Sequence, residues 1–540
     1  MRPLRIVFIS PFDLGTFGLR CVVARLKRDG HQVHVIYLGD RIIQEVADVS
    51  AAELDAAAGL VKELRPDWVG VSVTSLFSHP AAAAVTCKIK ECVGDIPILW
   101  GGPYPTLMPD ICLARAPVDY VCVGEGEETA AEFSAALARG LPVSAIPGIR
   151  SRIAEDFRPR PPPRDLDALP PPDLSDDGKT FIDPAGRVQA GEPRLRGTQY
   201  ATKCSRGCPF RCAYCSNDEI RKRCGSGPAL RRRSVAHVMA ELRQMIALNP
   251  GCESISFWDD NFPCETGWVE EFAAAYRAEI GRPMFFWAHP HTVRERNIQA
   301  LSRAAPELSV YVGIESGSAR TRSDVFLRNE TDERICEADR VLSLPNIRKT
   351  YDFILEHPWE SPTELEETFR LLLKMRRPFQ VNMHNLFIFP RTALAERAMN
   401  EGRATEDDMV AAILDHPLEA AQKIRWVNGI PAQQTHLRAF WLSLILALGN
   451  RRIPAAWLRF LGNCKGLLRR PELLTDLQVV DWQAGEADFG AFMANLWRQH
   501  LQRGRRVFEK PLAGFCRFSP RGAWAAYLLV QVVRRRLGCR

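Results

Sequence analysis

Cys208, Cys212 and Cys215 lie in the stretch Cys208-Pro209-Phe210-Arg211-Cys212-Ala213-Tyr214-Cys215, with gaps of three and two residues between them. Thiolates packed so closely suit iron–sulfur chemistry, and a four-iron cluster ordinarily takes four of them. Three on one short loop leave one iron open to a small molecule, as a catalytic metal site keeps one position open. A zinc knot is a second reading of the same residues, because Cys204, four residues ahead of Cys208, could complete a four-ligand site. A set of buried thiols without metal is a third.

The flanking residues carry more. In Ser205-Arg206-Gly207-Cys208-Pro209-Phe210-Arg211-Cys212-Ala213-Tyr214-Cys215-Ser216-Asn217, three features together resemble the signature of radical S-adenosylmethionine enzymes. They are the two gaps, the aromatic residue before the last cysteine and the Arg-Gly ahead of the first. The resemblance implies that Cys208, Cys212 and Cys215 ligate a 4Fe-4S cluster. It also implies that S-adenosylmethionine chelates the open iron through its amino and carboxylate groups. One electron from the cluster, drawn from a donor of flavodoxin or ferredoxin type, then cleaves the sulfonium to a 5′-deoxyadenosyl radical.

A loop of this kind needs a scaffold, and 540 residues provide about three domains of ordinary size. With 46% hydrophobic and 25% charged residues the chain is of globular type, neither disordered nor membrane-embedded. Apart from the 204–215 group, the sixteen cysteines form no paired framework, so a reducing compartment, the cytoplasm, is expected. Met1 to Ile9 has too short an apolar run for a secretory signal and suits a first buried strand. Net charge is +7, yet residues 501–540 hold ten Lys/Arg against one acid. The remainder is close to neutral, which argues against nucleic acid as a partner, since that takes a basic stripe over the working domain.

Strand patterns at Ile6 to Ser10, Gln32 to Tyr37, Trp68 to Val73, Ile96 to Trp100 and Tyr120 to Val123, with a helix over Leu19 to Arg28, predict a doubly wound parallel sheet in residues 1–150. Ligands of such sheets sit beyond the carboxyl ends of the strands. Small and hydroxyl residues gather there: Ser10 to Gly18, Thr74-Ser75, Gly101-Gly102-Pro103-Tyr104-Pro105-Thr106 and Gly124-Glu125-Gly126-Glu127. Glycine lets backbone approach a ligand, and hydroxyls bond it without filling the space. The Gly-Gly-Pro-Tyr and Gly-Glu-Gly-Glu loops resemble the cobalamin-binding domain of one large radical S-adenosylmethionine subgroup, with Tyr104 in place of a histidine. That resemblance implies cobalamin against Thr74, Ser75, Gly101, Gly102, Tyr104, Gly124 and Glu125. Methyl-transferring cobalamin domains carry Asp-x-His-x-x-Gly; here Asp13-Leu14-Gly15-Thr16-Phe17-Gly18 puts glycine where histidine would bind cobalt. A sheet that binds another nucleotide, or only packs, is the alternative.

Arg158 to Pro163 and Leu169 to Asp173 are dense in proline, so residues 151–195 are expected as a semi-rigid linker. Thr198 to Thr202 then opens a second run of strands with Ser254 to Trp258, Phe285 to Ala288, Ser309 to Ile314, Thr350 to Leu355 and Asn385 to Phe389. Six strands alternating with helices over residues 196–395 predict a partial (β/α)6 barrel with its site at the strand ends. Asp259-Asp260-Asn261, His289, His291 and Glu315-Ser316-Gly317-Ser318 fall there, with His384 a further candidate for substrate handling. Trp258 to Phe262 and Gly313 to Ser318 resemble segments of the same subgroup, which implies Asp259 or Asp260 on the amine or ribose of S-adenosylmethionine and Glu315 and Ser316 on its polar parts. A carboxylate suits this role as an acceptor of charge-assisted hydrogen bonds; an Asp-Asn helix cap is the bland reading. Where relatives carry Gly-x-Pro-Gly-Glu-Thr, this chain has Glu356-His357-Pro358-Trp359-Glu360-Ser361, which puts side chains on a rim of bare backbone.

Residues 396–540 are helical in pattern, as at Leu437 to Leu448 and Ala455 to Leu461. Ala523 to Val533, followed by three arginines, is too short to span a bilayer. It suits a docked last helix or a peripheral contact with an anionic membrane. The resemblance as a whole implies an α/β protein: an N-terminal Rossmann-like cobalamin-binding domain, a radical barrel and a helical C-terminal region. It implies a methyltransferase acting on an unactivated carbon of a small molecule, lipid or peptide, with S-adenosylmethionine used once at the cluster and once to methylate cobalt. Alternatives are a cyclase or oxidoreductase with the same cofactors, and a non-catalytic cobalamin-binding sensor.

Overall fold

The computed structural model describes residues 2–11, 16–39, 49–74, 78–152, 157–225, 227–414, 432–449 and 453–463. Residues 13–15, Ser75 and the basic 501–540 stretch, expected at the cobalt face, the cobalamin site and a membrane contact, lie outside them. The chain divides into two compact units: 1–287 with 295–308 and 387–425, and 288–294 with 309–386 and 426–540.

The first unit begins with β1 (Arg5–Pro11), β2 (Gln32–Leu38), β3 (Trp68–Ser72), β4 (Ile98–Gly101), β5 (Tyr120–Cys122), β6 (Ile149–Ser151), β7 (Lys179–Ile182) and β8 (Val188–Ala190). They form one sheet in the order β6-β5-β4-β3-β1-β2-β7-β8, parallel from β5 to β7 and closed at each edge by an antiparallel strand. From its second residue β1 is buried throughout, since helices cover both faces of a parallel sheet. The strand order reverses between β1 and β3, so the loops leaving them diverge and open a crevice.

The expected linker is only partly a linker. Its proline-dense half carries no strand, but β7 and β8 join the N-terminal sheet through a turn in which Asp183 Oδ1 accepts from Ala185 N at 2.9 Å and Gly186 adopts φ +78°. The stretch is tied down by charge. Glu192, wholly buried, meets Arg20 Nη2 at 2.7 Å, Lys179 Nζ at 2.9 Å and the Tyr37 hydroxyl at 3.2 Å. Proline density hid this pairing because the anchoring charges lie far apart in sequence.

Next come β9 (Gln199–Thr202), then a ribbon of β10 (Ser205–Gly207) and β11 (Leu230–Arg232), then β12 (Ser254–Phe257) and β13 (Met284–Ala288). β9, β12 and β13 pair in parallel. The second unit carries β14 (Leu308–Glu315), β15 (Ile347–Leu355) and β16 (Gln380–Asn385). β15 and β16 are parallel in register from Thr350 opposite Gln380 to Leu355 opposite Asn385. All six expected barrel strands are present, with one displaced: residues 386–389 follow β16, and Phe387 and Phe389 pack on the core of the N-terminal sheet.

The C-terminal pattern yields helices Ala432–Gly449 and Ala455–Gly462. In the first, Phe440, Trp441, Leu444 and Ile445 are buried, with Trp441 5.4 Å from the Phe369 ring. Among the described residues no helix is long and apolar enough to cross a membrane.

Candidate active site

The cysteine loop leaves β10 and ends at helix Ser216–Arg223, with Cys215 at its N-cap. Gly207, between Arg206 and Cys208, adopts φ +88°, and a Cβ there would stand 2.3 Å from the Ala229 carbonyl oxygen. Glycine is obligatory at this step. All three cysteines are half-buried, and burial pushes the Cys215 thiol up to about 12, with Cys212, Asp260 and Cys208 adding to the rise. The Cys215 thiol therefore stays protonated until a metal displaces the proton.

Among the described residues, no three His, Cys, Asp or Glu side chains close on one point that a single ion could fill. A cubane asks for something different, one thiolate on each of three irons. Cys204, the fourth ligand of the zinc reading, is wholly buried, with its N–H donated to Asp259 Oδ2 at 3.1 Å and its thiol pushed far up by burial and by Asp259. The cysteine loop fits a cubane better than a zinc knot.

Asp259 and Asp260 part company. Asp259 is buried beneath the loop, accepting from Ser205 Oγ as well as from Cys204, and burial raises it to about 6. It holds the base of the cysteine loop, whereas Asp260 lines the cavity above, 3.9 Å from Lys203 Nζ. Asp260 is the carboxylate placed for a ligand.

That cavity, about 550 Å³, lies within the first unit. From the sheet it is lined by Thr16, Thr74, Gly101, Gly102, Thr106 and Gly124; from the other side by Lys203, Arg206, Cys208, Trp258 and Asp260. Among the described residues, Thr16 Oγ1 and Thr74 Oγ1 are buried there without a hydrogen-bond partner, a cost that a polar ligand would relieve. Thr106 Oγ1 donates to Gly102 O at 2.8 Å and accepts from Gly124 N at 3.0 Å, which ties the two glycine loops together. A crevice floored by backbone and rimmed by orphan hydroxyls fits a large flat cofactor such as a corrinoid.

Two expected ligands are used otherwise. Tyr104 does not line the cavity: it is buried against the His79 ring at 5.3 Å. Glu125 reaches the cavity wall, but its carboxylate bonds Arg206 Nη1 at 2.7 Å and also Arg231. Glu127 takes the other side of Arg206 at 2.5 Å. The sequence showed Arg206 as part of a signature and Thr106 as part of a glycine loop but gave neither a partner, and Arg231 was passed over altogether.

Residues 6–134 match the B12 binding domain, and residues 202–372 match the radical SAM superfamily. The chain thus carries a B12 binding domain followed by a radical SAM domain. An uncharacterized methyltransferase of Pyrococcus horikoshii is 26% identical to this radical SAM protein over 365 residues, 65% of this chain and 72% of that one. Among solved structures, the radical S-adenosylmethionine methyltransferase TsrM of Kitasatospora setae, holding tryptophan substrate and an S-adenosylmethionine analogue, aligns with a TM-score of 0.58. Its identity is 17%, over 74% of this chain and 76% of that one. The cobalamin-dependent radical enzyme OxsB, with aqua-cobalamin and S-adenosylmethionine bound, aligns at TM-score 0.56 and 14% identity, over 99% of this chain and 84% of its own. At these identities the solved structures share the fold.

In the second unit of the radical SAM protein, Glu315 ends β14 at φ +67°, with Oε1 3.4 Å from Arg328 Nη1. Ser316 differs from expectation. Its hydroxyl donates to Glu364 Oε1 at 2.7 Å and accepts from Ser318 N at 3.0 Å, so it braces the loop. His357 shares Glu364 Oε1 at 3.0 Å. Burial and Arg328 push His289 down to about 2, and its Nδ1 accepts from His291 N. It is a neutral structural group. His384 on β16 is raised by Asp352, whose Oδ1 lies 3.6 Å from its Nε2, which keeps this imidazole as a titratable candidate.

Glu356 stands at φ +56°, the left-handed region that glycine occupies without strain. It is 3.9 Å from Arg438, and Glu360 also pairs with that arginine. Glu356, which stands in place of a glycine, and Glu360 thus seat helix Ala432–Gly449 at the end of β15.

Proposed function

We propose that this protein is a cobalamin-dependent radical S-adenosylmethionine methyltransferase that methylates an unactivated carbon of a small organic molecule. The observation that carries the reading is one cavity whose walls include both the glycine loops of the B12 binding domain and Cys208 of the cysteine loop. When bound, the cluster with S-adenosylmethionine would supply one-electron cleavage to a radical that abstracts hydrogen from carbon, and the corrinoid would supply the methyl group.

The chain's own residues position these groups. Cys208, Cys212 and Cys215 hold the cluster. Asp260 faces the amine or hydroxyls of S-adenosylmethionine, for which a carboxylate is a strong acceptor. Thr16, Thr74, Gly101, Gly102 and Gly124 hold the corrinoid. Its domain runs on through β7 and β8 to about residue 192. An electron donor of flavodoxin or ferredoxin type serves the cluster, and the cytoplasm is the compartment consistent with unpaired thiols.

The test is anaerobic turnover with S-adenosylmethionine labelled in its methyl group. Labelled product, S-adenosylhomocysteine and 5′-deoxyadenosine should form together. If 5′-deoxyadenosine and an altered product form without label, the protein is a cyclase or oxidoreductase instead.

A further inference from the structure

We infer that the network of Glu125, Glu127, Arg206 and Arg231 couples the two cofactor sites, so that corrinoid in the cavity and cluster on the cysteine loop each strengthen the binding of the other. The inference rests on the cofactor assignment above.

Arg206 and Arg231 are paired residues of the β10–β11 ribbon, and like charges directly opposite one another destabilise a ribbon. Their neutralising partner comes from elsewhere in the sequence. Glu125, on the loop after β5, bonds both arginines, and Glu127 adds a second bond to Arg206. Arg231 Nη1 also donates to Pro163 O at 2.8 Å, so the proline-dense segment between β6 and β7 joins the same knot.

All four side chains line the corrinoid cavity. On one side, Gly124 N, next to Glu125, is fixed by Thr106 in the other glycine loop. On the other, Arg206 connects directly to Cys208 through Gly207, where the Ala229 carbonyl leaves no room for a side chain. A corrinoid on the glycine loops restrains Glu125; a cluster on the cysteines restrains Arg206. Each ligand orders residues that the other must also order, and a cost met once is not met again. Such coupling is reciprocal by linkage.

Hydroxocobalamin affinity, followed by its absorption on the full chain, is compared between the anaerobic cluster-free and cluster-reconstituted forms. Reconstitution should tighten wild-type binding about fivefold or more, the lower edge of ordinary coupling energies. In Arg206→Gln the ratio should fall to about one, with Arg206→Lys between. Should Arg206→Gln fail to fold, Glu127→Gln, which leaves Glu125 on both arginines, should still lose part of the ratio. A wild-type ratio of one, or equal ratios in wild type and variants, overturns the coupling. Wild-type protein that takes up neither iron nor hydroxocobalamin overturns the cofactor assignment, and the coupling with it.

Discussion

Arg206 and Arg231 stand opposite one another across the β10–β11 ribbon, and Glu125 bonds both. The ribbon that launches the cysteine loop thus depends on a carboxylate from the B12 binding domain. Glu125→Ala leaves two opposed guanidiniums, Arg206 with Glu127 and Arg231 with only the neutral Pro163 carbonyl from this network. Breaking a buried pair this way should cost about 3 kcal/mol, read as a lower urea midpoint of the cluster-free protein. An unchanged midpoint would show that the arginines are satisfied elsewhere.

Gly207→Ala should leave the chain folded but poor in iron. Positive φ costs an L-residue about 1 kcal/mol, and the new methyl would meet backbone 2.3 Å away. Gly140→Ala is the control, because Gly140 shares a positive φ, +65°, yet has nothing within 4 Å of its Cβ position. After anaerobic reconstitution the Gly140 variant should match wild-type iron content while the Gly207 variant falls well short. Equal iron in both would refute the tight seat of the loop.

The Glu192 carboxylate should make stability acid-sensitive. Burial alone would raise it, but Arg20 and Lys179 outweigh burial and hold it down at about 2. A carboxyl depressed from its unfolded value of about 4.3 stabilises the fold above that pH, and the contribution fades as pH falls toward 2. The full effect is about 3 kcal/mol. Glu192→Gln should therefore be less stable than wild type at pH 7, with the gap in urea midpoint narrowing between pH 5 and pH 2.5. A gap constant across that range would remove Glu192 as its cause.

Much of the fold was legible because buried strands and glycine loops are local patterns. Gly101-Gly102, Gly124 and Thr74 could be placed at strand ends from periodicity alone, and the structure puts them on one cavity. Side-chain allegiance was harder to read. Asp259 and Asp260 are neighbours of one type, yet a strand end buries the first and exposes the second, a distinction that depends on Ser205 and Cys204 some fifty residues away. Glu125 read as a ligand because its partners, Arg206 and Arg231, come from another element. The sheet strands β7 and β8 were obscured by the prolines before them. In the Glu356 to Ser361 rim the departure from glycine was visible, but its use, a seat for Arg438, required the position of a helix 78 residues downstream of Glu360.

The central claim is a cubane held by three thiolates with one iron free for S-adenosylmethionine. Electron paramagnetic resonance of the anaerobically reconstituted, dithionite-reduced protein tests it most directly. About four irons per chain, with a reduced-cluster signal that changes when S-adenosylmethionine is added and is lost in Cys212→Ala, is the expected result. Zinc in place of iron, or a cluster signal indifferent to S-adenosylmethionine, would contradict it.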